Sequence, residues 1–184
     1  MPKKFVLPIF IILIMITGFI TLGSLDSDTS IKFEGNRFAQ TQSGYYLLYF
    51  NDIQVFLKND PRILVNLTLP EVDFNQFKDA RKVYLSLSTR DLNNPVIALF
   101  NQNLNTIVNS NMVLSCFEDG VGCEDLPLKT CDDVGMFTNI FLLSSEDNKT
   151  INYKNGCLIV KSKDLDKFLD KFILEFVKHE QKIG

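Results

Sequence analysis

The chain has 184 residues, 46% of them hydrophobic, and a formal net charge of −3. That length holds one domain of ordinary size behind an N-terminal segment. The mild acidity and the lack of any Lys/Arg run leave no electrostatic footprint for nucleic acid, and a single histidine excludes multi-histidine metal sites.

The N-terminus carries the strongest signal. Lys3 and Lys4 precede an uncharged run from Phe5 to Leu25, and Asp26 and Asp28 follow it. A bilayer core needs about 20 apolar residues in one helix, so 5–25 reads as a transmembrane anchor. Lysines before the run and aspartates after it predict residues 1–4 in the cytoplasm. Residues 26–30 then form a tether, and 31–184 form an extracytoplasmic domain. A cleaved signal peptide is the rival reading, with Thr21-Leu22-Gly23 as a weak cleavage site. No acid lies just inside the run and no processing site precedes it, as a pilin-like leader would require.

The domain reads as mixed α/β. Ile31 to Gln42 is extended, with Gly35-Asn36 as a turn. Tyr45–Phe50 and Ile53–Leu57 form a hairpin across Asn51-Asp52. Ile63, Val65, Leu67 and Leu69 alternate as in a strand, but Asp60 before Pro61 also suits a helix start, and both readings stay open. Glu71–Ala80 is a short helix with Val72, Phe74 and Phe77 inward. Val83–Leu87 is a strand. Asn94-Pro95 starts a helix with Val96, Leu99, Phe100, Leu104, Ile107 and Val108 on its apolar face and Asn101, Asn105 and Asn109 opposite. Met112–Phe117 is a strand, so this unit is a βαβ crossover with a parallel pair. Asn139–Ser144 is a further strand. Thr150–Tyr153 and Cys157–Val160 form a hairpin around Lys154-Asn155-Gly156. The last element is an amphipathic helix with Leu165, Phe168, Leu169, Phe172, Ile173, Phe176 and Val177 on one face. That stripe reads as core packing against the sheet.

The four cysteines are Cys116, Cys123, Cys131 and Cys157. An even number outside a membrane reads as a disulfide framework, and no C-x2-C knuckle favours zinc. Gly120 and Gly122 supply the reversal that pairs Cys116 with Cys123, which leaves Cys131 with Cys157. The nested alternative joins Cys116 to Cys157 around Cys123–Cys131.

Chemistry is sparse. No G-x-S-x-G, H-E-x-x-H, P-loop or G-x-G-x-x-G occurs, and no cofactor is implied. His179 reads as a favourable charge at a helix C-terminus. Glu118, Asp119, Glu124, Asp125, Asp132 and Asp133 crowd the cysteine loop and are candidate cation ligands, although the spacing is not that of an EF-hand. Asn66-Leu67-Thr68 and Asn148-Lys149-Thr150 are glycosylation sequons, with Asn66 and Asn148 as acceptors. The element order also suits a thioredoxin-like fold, whose chemistry needs a C-x-x-C at a helix start. Asn94-Pro95-Val96 supplies none.

Several short motifs carry one resemblance. An N-terminal anchor is followed by Lys82-Val83-Tyr84-Leu85-Ser86. Next come Cys116, then Cys123-Glu124-Asp125-Leu126-Pro127-Leu128 and Cys131, and Asn155-Gly156-Cys157-Leu158-Ile159-Val160 precedes the final helix. This set resembles a group of small, uncharacterised membrane-anchored archaeal proteins with a Cys-rich extracytoplasmic domain. The resemblance implies the anchored topology and the cysteine pattern, and no activity. The expected role is a non-catalytic binding or structural module with a protein or envelope partner. A thioredoxin-like envelope thiol–disulfide protein and a carboxylate-dependent hydrolase are the alternatives.

Overall fold

A computed structural model describes residues 30–50, 53–108 and 110–183. The anchor read at 5–25, most of the tether, Asn51-Asp52 and Asn109 lie outside the described residues. Among the described residues, no helix is long and apolar enough to cross a membrane.

The first four strands are β1 (Ser30–Phe33), β2 (Asn36–Gln40), β3 (Tyr46–Phe50) and β4 (Ile53–Leu57), joined as a meander in that order. The β1–β2 turn is Glu34-Gly35, both with positive φ, rather than Gly35-Asn36. Asn36 already belongs to β2. A tight hairpin turn wants left-handed backbone at both central residues, and glycine takes the second here.

Between 60 and 69 the helical reading prevails over the strand. Pro61–Asn66 is a 3-10 helix, and the Asp60 side chain caps it by accepting from the Arg62 N–H. Ile63 and Val65, which alternate like buried strand residues, are each 51% exposed, whereas Leu64 is fully buried. Helix α1 is shorter than expected, Phe74–Lys78, and buries Phe77 fully. Phe74 and Val72 are half-buried.

The second sheet contains β5 (Lys82–Leu87), β6 (Asn111–Cys116), β7 (Thr138–Ser144), β8 (Thr150–Lys154) and β9 (Cys157–Lys161). Its order is β6-β5-β7-β9-β8. β5 is parallel to both β6 and β7, β7 is parallel to β9, and only β8 is antiparallel. The β8–β9 turn uses Asn155 and Gly156, both with positive φ.

Helix α2 (Pro95–Ile107) joins β5 to β6, and α3 (Leu165–Ile183) follows β9. Both pack on the face that carries Leu85 and Phe141, through a set of touching rings. Phe172 of α3 lies 5.1 Å from Phe141 and 5.9 Å from Phe100 of α2, centroid to centroid. All seven residues expected on the apolar face of α3 are buried. The meander adds Phe38, Leu48, Val55 and Leu57 to the same core.

Two buried polar groups lock the meander to the helices. Asn103 of α2 accepts from the Phe56 N–H (3.0 Å) and donates to the Phe56 carbonyl (2.6 Å). It thereby occupies the outer edge of β4 as a neighbouring strand would. Asp170 of α3, 5% exposed, accepts from the backbone N–H and the side-chain amide of Asn59. Burial pushes the Asp170 carboxyl up to about 7, against the Asn59 hydrogen bonds, and the nearby Asp166 charge adds to the rise.

A carboxyl whose pKa is raised in the folded state binds its proton more tightly there. Its stabilising contribution is complete below the unfolded value, near 4, and is lost as pH rises through about 7. The domain is therefore expected to lose on the order of a few kcal/mol between pH 4 and 7 through this group. Asp170→Asn keeps an acceptor for Asn59 and removes the titration. Melting temperatures taken from pH 5 to 8 check this: the parent falls and the variant stays flat. Parallel curves would refute the assignment.

Candidate functional site

The crossover from β6 to β7 is the distinctive local structure. The βαβ unit places α2 on one face as the chain steps from β5 to β6. The next step, back past β5 to β7, runs in the opposite direction, and right-handed crossovers then require the opposite face. The later part of the 117–137 segment, from Lys129 onward, lies there. Ser86, pointing away from the helices, donates its hydroxyl to the Lys129 carbonyl, and the Lys129 ammonium sits 5.5 Å from the Tyr84 ring centre.

Among the described residues no α-helix covers this face; the crossover is pinned covalently instead. Cys116 is bonded to Cys123 and Cys131 to Cys157, the pairing favoured by the glycine argument, and no described cysteine is free. Gly120 and Gly122 both have positive φ. A Cβ at Gly120 would lie 2.6 Å from Thr89 Cγ2, and one at Gly122 would lie 2.7 Å from Leu92 Cδ1. The small disulfide loop thus fits closely over the end of β5.

The six acids of the crossover do not converge. Glu118 accepts from the Thr89 N–H and Glu124 from the Gly122 N–H. Asp133 completes a capping box with Thr130 and pairs with Lys129 at 2.9 Å. The Thr130 N–H and the Lys129 ammonium hold its carboxyl below the ordinary range. Asp119, Asp125 and Asp132 are exposed. Among the described residues, no group of three His, Cys, Asp or Glu is placed to hold a metal ion. His179 contacts Asn75 Oδ1 at 3.1 Å, and its ring stacks near Phe74. Asn66 and Asn148 are both exposed.

Open parallel sheets usually bind ligands at the carboxyl ends of strands where the chain reverses direction. Here that point lies between β5 and β7, beside the N-terminus of α2. It is filled by the chain's own carboxylate. Asp91, 2% exposed, accepts from the Ser88 hydroxyl (2.6 Å), the Ser145 N–H (2.9 Å) and the Asn94 amide (3.3 Å). Burial opposes its charge, but these donors prevail and lower its pKa. The crevice is a structural knot.

An open concave site lies between α2 and the edge strand β6. Leu85, Leu87, Leu92, Ile97, Met112 and Leu114 line a cleft of about 310 Å³. Leu114 is 42% exposed at its mouth, and Ala98 leaves room on the helix side. The helical pattern alone does not single out Ile97 or Ala98. The cleft appears only when α2 is laid against β6.

Comparison with protein-family models, with curated proteins and with solved structures finds no match.

Proposed function

We propose that this chain is a single-pass membrane protein whose domain lies outside the cytoplasm and serves as a non-catalytic binding module. The α2–β6 cleft carries this reading: it is concave and mostly apolar, with Asn101 as a polar group in its lining, as recognition sites commonly are. Two bonded cysteine pairs suit an oxidising compartment. The lysine/aspartate asymmetry around residues 5–25 supports the orientation. At the crevice where such sheets commonly bind ligands, the chain's own Asp91 is held by Ser88, Asn94 and Ser145.

Two measurements on intact cells test the proposal. External protease is expected to digest the domain and leave the anchor. Protection until lysis would overturn the orientation. A photo-crosslinking residue at position 114 is expected to form a covalent adduct on irradiation, while the same residue at exposed position 149 does not. Absence of an adduct at 114 would overturn the binding role.

A further inference from the structure

We propose that the cleft accepts an extended polypeptide segment, which adds to β6 as an antiparallel sixth strand with its positively charged N-terminal end toward the acidic crossover. This inference rests on the binding-module reading and specifies what is bound.

The backbone directions along β6 set the geometry. The Asn111 N–H donates to the Arg81 carbonyl and the Phe117 N–H to the Leu87 carbonyl, so odd-numbered residues face β5. Cys116 faces the other way. Its N–H donates to the Pro127 carbonyl and its carbonyl accepts from the Lys129 N–H, as a short parallel bridge to Leu128. The two-residue alternation of a strand therefore turns the N–H and C=O groups of Met112 and Leu114 outward. β6 is the terminal strand of its sheet, and among the described residues neither group has a backbone partner. Two open rungs thus lie beside an apolar cleft, and the side chains of the same two residues line that cleft. Extended peptides satisfy both needs together, with main-chain bonds to the edge and alternate side chains in pockets.

Charge fixes the direction. The Pro127–Lys129 segment already holds the slot beside Cys116, so an added strand must stop at the level of Leu114. Its end meets the loop that carries exposed Glu124 and Asp125. A peptide antiparallel to β6 presents its α-amine there, whereas a parallel one would set a carboxylate against carboxylates. The far end lies by exposed Arg81, whose guanidinium stacks 4.7 Å from the Phe137 ring centre. A second copy of this chain fits poorly. Antiparallel pairing of two β6 strands about Val113 would put Ser110 of the copy opposite Cys116, in the place of Leu128.

The test uses the full chain in detergent micelles and a phage-displayed random nonapeptide library with free N-termini. The expected consensus is a basic residue near the N-terminus followed by apolar residues two apart. A synthetic peptide of that consensus is then titrated by fluorescence anisotropy. Leu114→Glu and Ala98→Phe should each weaken binding at least tenfold. N-methylation of the peptide amides that face β6 should abolish binding, and N-acetylation with Asp125→Lys should weaken it several-fold. Leu114→Glu changes a surface residue, so its melting curve keeps the result interpretable if Ala98→Phe fails to fold. No enriched consensus, binding indifferent to N-methylation, or a dimer in sedimentation that Leu114→Glu dissolves would each overturn the inference. A non-peptide adduct at position 114 in cells would leave the binding role standing and refute the strand.

Discussion

Phe172→Asp is expected to leave the domain unfolded at room temperature. Phe172 is fully buried, and its ring centre lies within about 6 Å of those of Phe74, Phe77, Phe100 and Phe141. Those rings belong to α1, α2 and β7, so one side chain joins three elements to α3. Removing a buried Phe side chain costs about 3–5 kcal/mol. An unpaired carboxylate in its place adds several more. The sum is comparable to the whole stability of a typical domain, about 5–15 kcal/mol. Val121→Asp is the control: Val121 is 87% exposed and its replacement should change stability by about 0.5 kcal/mol or less. Circular dichroism in urea separates the two. A folded Phe172→Asp variant that has lost a binding partner would show the Phe stripe to be an interface rather than the core.

The two disulfides should differ in worth. Cys131–Cys157 closes a separation of 26 residues and Cys116–Cys123 one of 7. In the chain-entropy account these correspond to about 3.5 and about 2.4 kcal/mol. The double Ser variant at 131 and 157 should therefore melt lower than the variant at 116 and 123. Its penalty should exceed the entropy difference, because the second bridge also holds the crossover over Ile140 and Leu142. Non-reducing peptide mapping checks the pairing first, with no alkylatable thiol expected. A peptide joining Cys116 to Cys157, or equal melting of the two variants, would refute this account.

Much of the fold was legible in the sequence because burial imposes a period. The α3 stripe repeats every three to four residues, and all seven named positions are buried. Asn94-Pro95 marked the start of α2, and Asn155-Gly156 marked the β8–β9 turn, because each needs a particular backbone conformation. The alternation of Ile63 and Val65 left strand and helix equally open, and the capped 3-10 turn points both outward and buries Leu64. Asn103 and Asp170 carry no local signal of burial, because polar side chains ordinarily sit at the surface. Their burial depends on Phe56 and Asn59, which are distant in sequence and become partners only after folding. The candidate acids were legible as a cluster along the chain, but each is held by its own nearby donors or points to solvent. The cleft was not legible at all. It depends on a small residue, Ala98, facing an edge strand, and no local pattern encodes which edge of a sheet stays open.

The covalent pinning of the β6–β7 crossover divides the domain into halves of unequal permanence. On one face of the second sheet, interlocked rings hold two helices down, and reductants do not touch them. On the other, closure depends on the Cys131–Cys157 bond, which electrons can open. Mild reduction should therefore release amide protection around 117–137 and admit solvent to Ile140 and Leu142, while protection in α2 and α3 survives. The protein would pass through a half-opened state rather than unfold as a unit.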